Sequence, residues 1–206
     1  MRVNAETKAA TRQRILEAAR RLFAEQGYEA TTTRDIARAA EIATGTLFNY
    51  FATKEAIVEC QAGEALSSAG TEFESQARDI PSLEEALFAF VAAGLRKLKP
   101  LRKHLPSLLQ TSLSPLAESR LGDETSLRLA HLDVVSRLAE AHGHSELSPV
   151  ALQLYWTLYT GVLVFWAQDK SPKQEDTLAL LDHSLAMFVT WLDSQGEPKS
   201  AKNPSR

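Results

Sequence analysis

Residues Thr32–Lys54 read TTRDIARAAEIATGTLFNYFATK, and the reading of this stretch decides the fold. Thr32 or Thr33 is placed to cap a short helix, and Thr32-x-x-Asp35 is a loose capping box in which Asp35 also suits the positive end of the helix. Ile36, Ala37 and Ala40 give that helix a buried side small enough for a second helix to cross closely. Glu41-Ile42-Ala43 makes a turn. A second helix follows from Thr44 to about Phe51, with Leu47 and Phe51 pointing inward beside Ile42. Thr44, Gly45, Phe48 and Asn49 are left outside. Lys54 and Glu55 open the next helix, with Thr53 as its N-cap. Two short helices, a tight turn and a closing aromatic cluster make a helix-turn-helix.

Working outward, the upstream segment reads as its support. Ile15, Ala18, Ala19, Leu22 and Phe23 form one apolar stripe on a helix from about Thr7 or Thr11 to Gln26, and Gly27 stops it. Downstream, the helix opened by Lys54 runs to about Ser75, with Gly63 and Gly70 as places to bend. Ser82-Leu83-Glu84-Glu85 starts a helix reaching about Lys99, with the stripe Leu87, Phe88, Val91, Leu95 and Leu98. A short helix is expected over Leu101–Ser112. Another covers about Thr125–His142, with Leu129, Leu132, Val135, Leu138 and Ala139 inward. Ser148-Pro149 is a strong start signal for a helix to about Gln168. A last helix spans about Gln174–Asp193. The expectation is an all-α chain of nine helices. It comprises a three-helix head over residues 1–53, a helical body over 54–195 and a disordered tail over 196–206.

Composition narrows the class. The chain has 206 residues, 44% hydrophobic and 24% charged, enough for a real core. Its uninterrupted apolar runs fall far short of the roughly 20 residues that cross a membrane. The polar N-terminus lacks a signal region, so a cytoplasmic protein is expected. With Cys60 as the one cysteine, there is no internal disulfide and no thiolate metal site. Net charge is −3, which does not by itself suggest nucleic acid. Residues 1–55, however, hold 9 Lys+Arg against 7 Asp+Glu, while the remainder holds 14 against 19. A mildly basic head on an acidic body fits a nucleic-acid-facing end.

The residues themselves point to a known family. Ile15, Leu16, Ala18, Ala19, Leu22, Phe23, Gly27 and Tyr28 come first. Thr33, Asp35, Ile36, Ala37 and Ala40 follow, then Gly45, Thr46, Leu47, Phe48, Tyr50, Phe51 and Lys54. In this order and spacing they resemble the DNA-binding domain of the TetR family of bacterial transcriptional regulators, over about residues 12–58. Two positions depart from the family pattern: Glu41 stands where glycine is usual in the turn, and Ala43 where a small hydroxyl cap is usual. If Glu41 is left-handed the penalty is about 1 kcal/mol, and Thr44 is positioned to take over the cap.

The resemblance implies a homodimer on a double-stranded DNA operator. Thr44, Gly45, Thr46 and Asn49 are short, polar or flat, as a major-groove helix requires. Asn49 can contact adenine through two bonds, and Phe48 can pack on a thymine methyl. Tyr50 and Lys54 resemble the family's phosphate-contacting pair. Thr33, with the amides of its helix, is implied to hold another phosphate, and Arg34 is a further DNA-facing candidate.

The family also implies a pocket for a small inducer in the body. The apolar candidates here are Phe73, Phe88, Val91, Leu95, Leu109, Leu132, Trp156 and Tyr159, with Gln110 and His131 to orient a ligand. Few charges interleave, so the expected effector is small and lipophilic. The last two helices carry apolar residues around more than one face. Tyr155, Val162, Phe165 and Trp166, with Leu181, Leu185, Phe188 and Trp191, are therefore expected at a four-helix dimer interface. Leu180 and Met187 start a second stripe with Trp191. The five histidines show no repeated metal spacing, and there is no phosphate-binding glycine loop or nucleophile elbow. No enzyme, cofactor or metal is expected. Two alternatives stand beside this reading: a regulator controlled by a protein partner, and an all-helical ligand-binding or catalytic protein whose head has lost DNA binding.

Overall fold

The computed structural model describes residues 5–76, 80–104 and 127–196. Among them are eight α-helices and no strand. They are α1 (Ala5–Gln26), α2 (Thr33–Ala39), α3 (Thr44–Phe48), α4 (Lys54–Gln76), α5 (Leu83–Leu98), α6 (Leu127–Ala141), α7 (Pro149–Gln168) and α8 (Glu175–Gly196). A 3-10 turn, Lys99–His104, continues from α5. The ninth helix expected over Leu101–Ser112 therefore begins as this turn, and the rest of that span lies outside the described residues, as does most of the tail.

Helix starts follow the side chains that satisfy their free amides. The Ser82 hydroxyl accepts from the Glu85 amide (3.2 Å) and the Ser148 hydroxyl from the Ala151 amide (3.2 Å). Pro149 then fills the first turn of α7, where its missing N–H has no intrahelical partner to lose. Helix α1 begins earlier than expected, at Ala5.

The helices pack α1 on α2, α2 on α3 and α1 on α4. Helix α4 lies on α5 and α6, and α8 lies on α5 and α7. One hydrophobic cluster runs from Ile15 and Leu47 in the head, through Ile57 and Ala62 of α4, to Trp166 and Phe188. Gly63, read from sequence as a place to bend, and Gly94 both serve close approach between helices. A Cβ on Gly63 would lie 2.9 Å from Leu127 Cδ2, and one on Gly94 3.3 Å from Leu66 Cδ2.

Three expectations are corrected by burial. In α6, Leu129 is 59% exposed, while His131 is buried in its place. The inward face is His131, Leu132, Val135 and Ala139, which keeps three residues of the expected stripe and puts His131 in the place of Leu129. In α5, Phe90 is buried whereas Phe88 is half-buried. In the last two helices, Tyr155, Val162, Trp166, Leu181, Leu185 and Phe188 are all at most 3% exposed within the single chain. They belong to its own core and have almost no surface left for a partner. Phe165 stays 43% exposed and Trp191 is half-buried. The open apolar surface is instead Val164 and Phe165 of α7 with Leu180 and Met187 of α8.

By length and mean hydropathy helix α7 is long and apolar enough to cross a membrane, although its uninterrupted apolar runs are short. Here one of its sides packs in the helical core, and the other carries Thr157, Gly161 and Gln168 beside the open apolar residues.

Burial pushes the pKa of His131 down to about 3 from its ordinary 6.5. An unfolded histidine takes up a proton below about 6.5, while the folded one stays neutral. The unfolded state then binds more protons, so stability falls as pH drops through this window. His131→Phe should therefore lose less stability than the parent chain between about pH 7 and about pH 4. Urea unfolding at both pH values checks this, and equal losses would place the acid sensitivity elsewhere.

Candidate nucleic-acid interface

The head is built from one loop and one turn. Gly27 ends α1 at φ 88°, a conformation costly for any side chain. The Thr31 amide donates to the Tyr28 carbonyl (3.1 Å), and the Thr31 hydroxyl donates to the Gly27 carbonyl (2.7 Å). Thr32 caps α2 in a full capping box: the Asp35 amide donates to its hydroxyl (3.2 Å), and its amide donates back to the Asp35 carboxylate (3.1 Å). The Thr32 hydroxyl and amide hold the Asp35 carboxyl below its ordinary pKa. A carboxylate thus already occupies the start of α2, where the sequence reading set a phosphate beside Thr33. Arg34 is exposed, and Arg38 is paired with Asp35 at 3.4 Å.

At the other end of α2, the Glu41 amide donates to the Arg38 carbonyl (3.1 Å) and the Ile42 amide to the Ala37 carbonyl (3.0 Å). This is a Schellman motif. Its left-handed position is filled by Glu41 at φ 55°. Helix α3 then starts after Ala43, which makes no side-chain cap. Thr44 is its first helical residue and does not take over the cap.

Helix α3 has five residues, shorter than expected. Leu47 is fully buried and Phe51 nearly so. Gly45, Phe48 and Asn49 are exposed, and Thr44, Thr46 and Tyr50 are half-buried. Nothing lies within 4 Å of where a Gly45 side chain would start. Thr44, Gly45, Phe48 and Asn49 therefore form one outward face, with Phe48 48% exposed.

Lys54 is placed differently from the sequence reading. Its ammonium donates to the Tyr28 carbonyl (2.8 Å) and the Thr31 carbonyl (3.1 Å), and lies 3.8 Å from the Tyr28 ring centroid. The Tyr28 hydroxyl donates to Glu55 Oε1 (2.7 Å). That bond, after burial, raises the Tyr28 pKa, and it lowers that of Glu55. The Tyr28 ring also packs against Phe23 (5.2 Å) and His104 (4.7 Å). Burial lowers the His104 pKa, opposed by Glu29. Sequence reasoning missed Tyr28 and His104 as partners, since neither lies on a helical stripe with Lys54.

The head is fastened to α4 by a second seam. The Gln61 amide nitrogen donates to the Leu16 carbonyl (2.9 Å), Arg12 donates to Cys60 Sγ (2.9 Å), and Glu64 sits 3.5 Å from Arg12 and 3.7 Å from Arg20.

In the body, most effector candidates are core residues. Phe73, Val91, Leu95, Leu132, Trp156 and Tyr159 are buried, and Phe88 is half-buried. Leu109 and Gln110 lie outside the described residues. His131 is the hub of an aromatic cluster: its ring is 4.2 Å from that of Tyr159, 4.8 Å from Phe90, 5.7 Å from Tyr155 and 5.8 Å from Trp156. His131 Nε2 meets the Tyr155 hydroxyl at 2.9 Å. Two polar atoms of the cluster, His131 Nδ1 and Trp156 Nε1, are buried without a hydrogen-bond partner. Phe90 and Tyr155 are members the sequence did not assign to it.

On the opposite side of α7 lies a groove of about 750 Å³, lined among others by Thr157, Gly161, Val164, Phe165 and Leu180.

A three-helix head whose second and third helices join through a Schellman turn, mounted on a helical body, has the helix-turn-helix arrangement. Residues 15–59 match the model of the bacterial regulatory proteins, tetR family. YvkB of Bacillus subtilis, an uncharacterized HTH-type transcriptional regulator, is 37% identical over 70 residues, 34% of this chain and 37% of that one. The HTH-type transcriptional repressor KstR2 of Rhodococcus jostii is 48% identical over 52 residues, 25% of this chain and 26% of its own length. The matched regions thus span well under two thirds of these curated relatives. The solved structure of FadR from Thermus thermophilus, a TetR-family repressor in complex with lauroyl-CoA, shares the fold. It superposes with a TM-score of 0.62 at 23% identity, over 95% of this chain and 100% of that one. Residues 15–59 thus match the tetR-family model, and the chain shares its fold with a solved TetR-family structure.

Glu41 holds the left-handed position at a cost of about 1 kcal/mol. Glu41→Gly should raise the stability of the chain by up to about that amount, with the far-ultraviolet circular dichroism spectrum unchanged. Urea unfolding checks this, and a loss of stability would show that the Glu41 side chain contributes more than its backbone strain costs.

Proposed function

We propose that this chain is a cytoplasmic, homodimeric transcriptional regulator, most simply a repressor, whose head over residues 1–53 reads a palindromic operator. The observation that carries this reading is the outward face of α3. Gly45 allows close backbone approach, Asn49 offers a flat amide to a base edge, and Phe48 offers an apolar surface that water disfavours. One head alone has little surface, so useful affinity needs two heads on half-sites about one helical turn or a multiple apart.

The pairing surface we assign is the open α7–α8 face. Gly161, exposed at the middle of α7, lets a second helix cross closely, and Val164, Phe165, Leu180 and Met187 are exposed around it. Trp191 borders this face as a half-buried residue.

The body, over residues 54–195, is proposed to bind a small lipophilic effector at the His131 cluster. When the Tyr155 hydroxyl donates to His131 Nε2, Nδ1 carries the ring proton. Nδ1 and Trp156 Nε1 are then both buried donors lacking an acceptor, each costing roughly 1–3 kcal/mol. An apolar molecule bearing a carbonyl or similar acceptor would satisfy them. The neutral His131 suits an uncharged ligand. That FadR is solved with lauroyl-CoA shows that a relative of this fold takes an acyl compound. Control by a protein partner is favoured by a different observation: the rings around His131 are already closely packed.

Selection of random duplexes by the purified protein at low salt should enrich a two-fold symmetric sequence. Enrichment of none would remove the operator reading. On the enriched duplex, Asn49→Ala should relax preference at one base position per half-site, at a discrimination of roughly 1–3 kcal/mol. Sedimentation tests the pairing face: Phe165→Asp should give monomers and weaken duplex binding, whereas an intact dimer would refute this assignment.

A further inference from the structure

The ammonium of Lys54 is occupied within the chain. It bonds two backbone carbonyl oxygens, of Tyr28 and Thr31, and lies over the Tyr28 ring. A lysine that neutralises a phosphate must present its ammonium to solvent, and this one faces a loop. The two carbonyls are not neutral bystanders. Thr31 precedes Thr32, the residue that caps α2, and α2 leads through the Glu41 turn into α3. The position of Lys54 is thereby passed to the outward face of α3 through covalent neighbours.

Tyr28 is gripped from the body as well. His104, at the end of the 3-10 turn, packs 4.7 Å from the Tyr28 ring and 5.9 Å from Phe23. Two residues earlier in the same turn, Arg102 Nε donates to the Trp166 carbonyl (2.8 Å), Arg102 Nη2 donates to the Asp169 carbonyl, and the guanidinium lies 5.6 Å from the Trp166 ring. The end of α7 is in turn stitched to α8, since the Asp169 carboxylate accepts from the Ser171 amide (2.7 Å) and the Thr177 amide (3.1 Å).

We propose that Lys54 is a positioning residue of the DNA-binding head rather than a phosphate contact. The 3-10 turn Lys99–His104 holds the same loop through the Tyr28 ring, so that the Tyr28 joint ties the angle of the head to the end of α7. The DNA part of this inference rests on the proposed operator reading, and the joint itself does not.

The test uses the full chain without and with DNA. In amide hydrogen exchange without DNA, Lys54→Met and His104→Ala should each speed exchange over Thr31–Ile36 by about tenfold or more, equal to about 1.4 kcal/mol of local opening. Arg102→Ala, remote from the loop, should do so by a smaller factor. On a random-sequence duplex, Lys54→Met should weaken binding while leaving the slope of log affinity against log salt unchanged. A phosphate contact would instead lower that slope by about one per head. A slope lowered in this way, with exchange over Thr31–Ile36 unaltered, overturns the proposal. Unaltered exchange in both Lys54→Met and His104→Ala overturns it as well. If the parent chain binds no duplex, the operator reading fails, and the exchange result still decides the joint.

Discussion

The head depends on burial, because its defining helices cannot exist without it. Helix α2 has seven residues and α3 five, whereas isolated helices shorter than about 12–15 residues are marginal in water. Their hydrogen bonds form because Ile36, Ala37, Leu47 and Phe51 are packed against Ile15, Leu16 and Ala19 of α1 and Ile57 of α4. Each fully buried large aliphatic side chain contributes roughly 1.5–3 kcal/mol, so a few of them decide whether the turn has two helices to join. The recognition face is a by-product of this burial. Once Leu47 points in, Thr44, Gly45, Phe48 and Asn49 have nowhere to go but out.

That dependence explains what was legible in the sequence. Caps and breakers act on near neighbours, so Thr32 with Asp35, Ser82, Ser148 with Pro149 and Gly27 fixed helix ends closely. The strained Glu41 was legible through the resemblance, since it stands where the family pattern has glycine in the turn. Faces were legible only where one stripe was apolar. In α6 the leucines outnumbered the histidine, and pattern alone favoured Leu129 over His131. The cost of burying an imidazole is met there by the Tyr155 hydroxyl and four surrounding rings, two stacked, one tilted and one edge-on, which no local pattern displays. In α7 and α8 the sequence announced too many apolar residues for one chain, and this surplus is present as Val164, Phe165, Leu180 and Met187. Which residues formed the surplus depended on how α5, α7 and α8 pack together, a long-range fact.

The candidate site divides along the same line. Its outward residues followed from helical spacing. Its inward connections did not: Lys54 meets a loop 23–26 positions earlier, and Arg102 meets carbonyls 64–67 positions later. The ion pairs across the seam between head and α4, Arg12 and Arg20 with Glu64, have side chains 35–53% exposed, so they add little stability. Among the described residues the body leaves four buried side-chain atoms without a hydrogen-bond partner, Gln61 Oε1, His131 Nδ1, Trp156 Nε1 and Trp166 Nε1, two of them in the His131 cluster.

Helix α4 gives the head a mechanical property of its own. Its 23 residues make a rod about 35 Å long at 1.5 Å per residue. Its first residue is the Lys54 of the Tyr28 joint, and farther along it packs against α5 and α6. For such a rod, a tilt of about 5° at one end carries the other through about 3 Å, close to the 3.4 Å rise of one base pair. A small tilt at one end of such a rod is thus amplified along its length to a displacement of about 3 Å at the other.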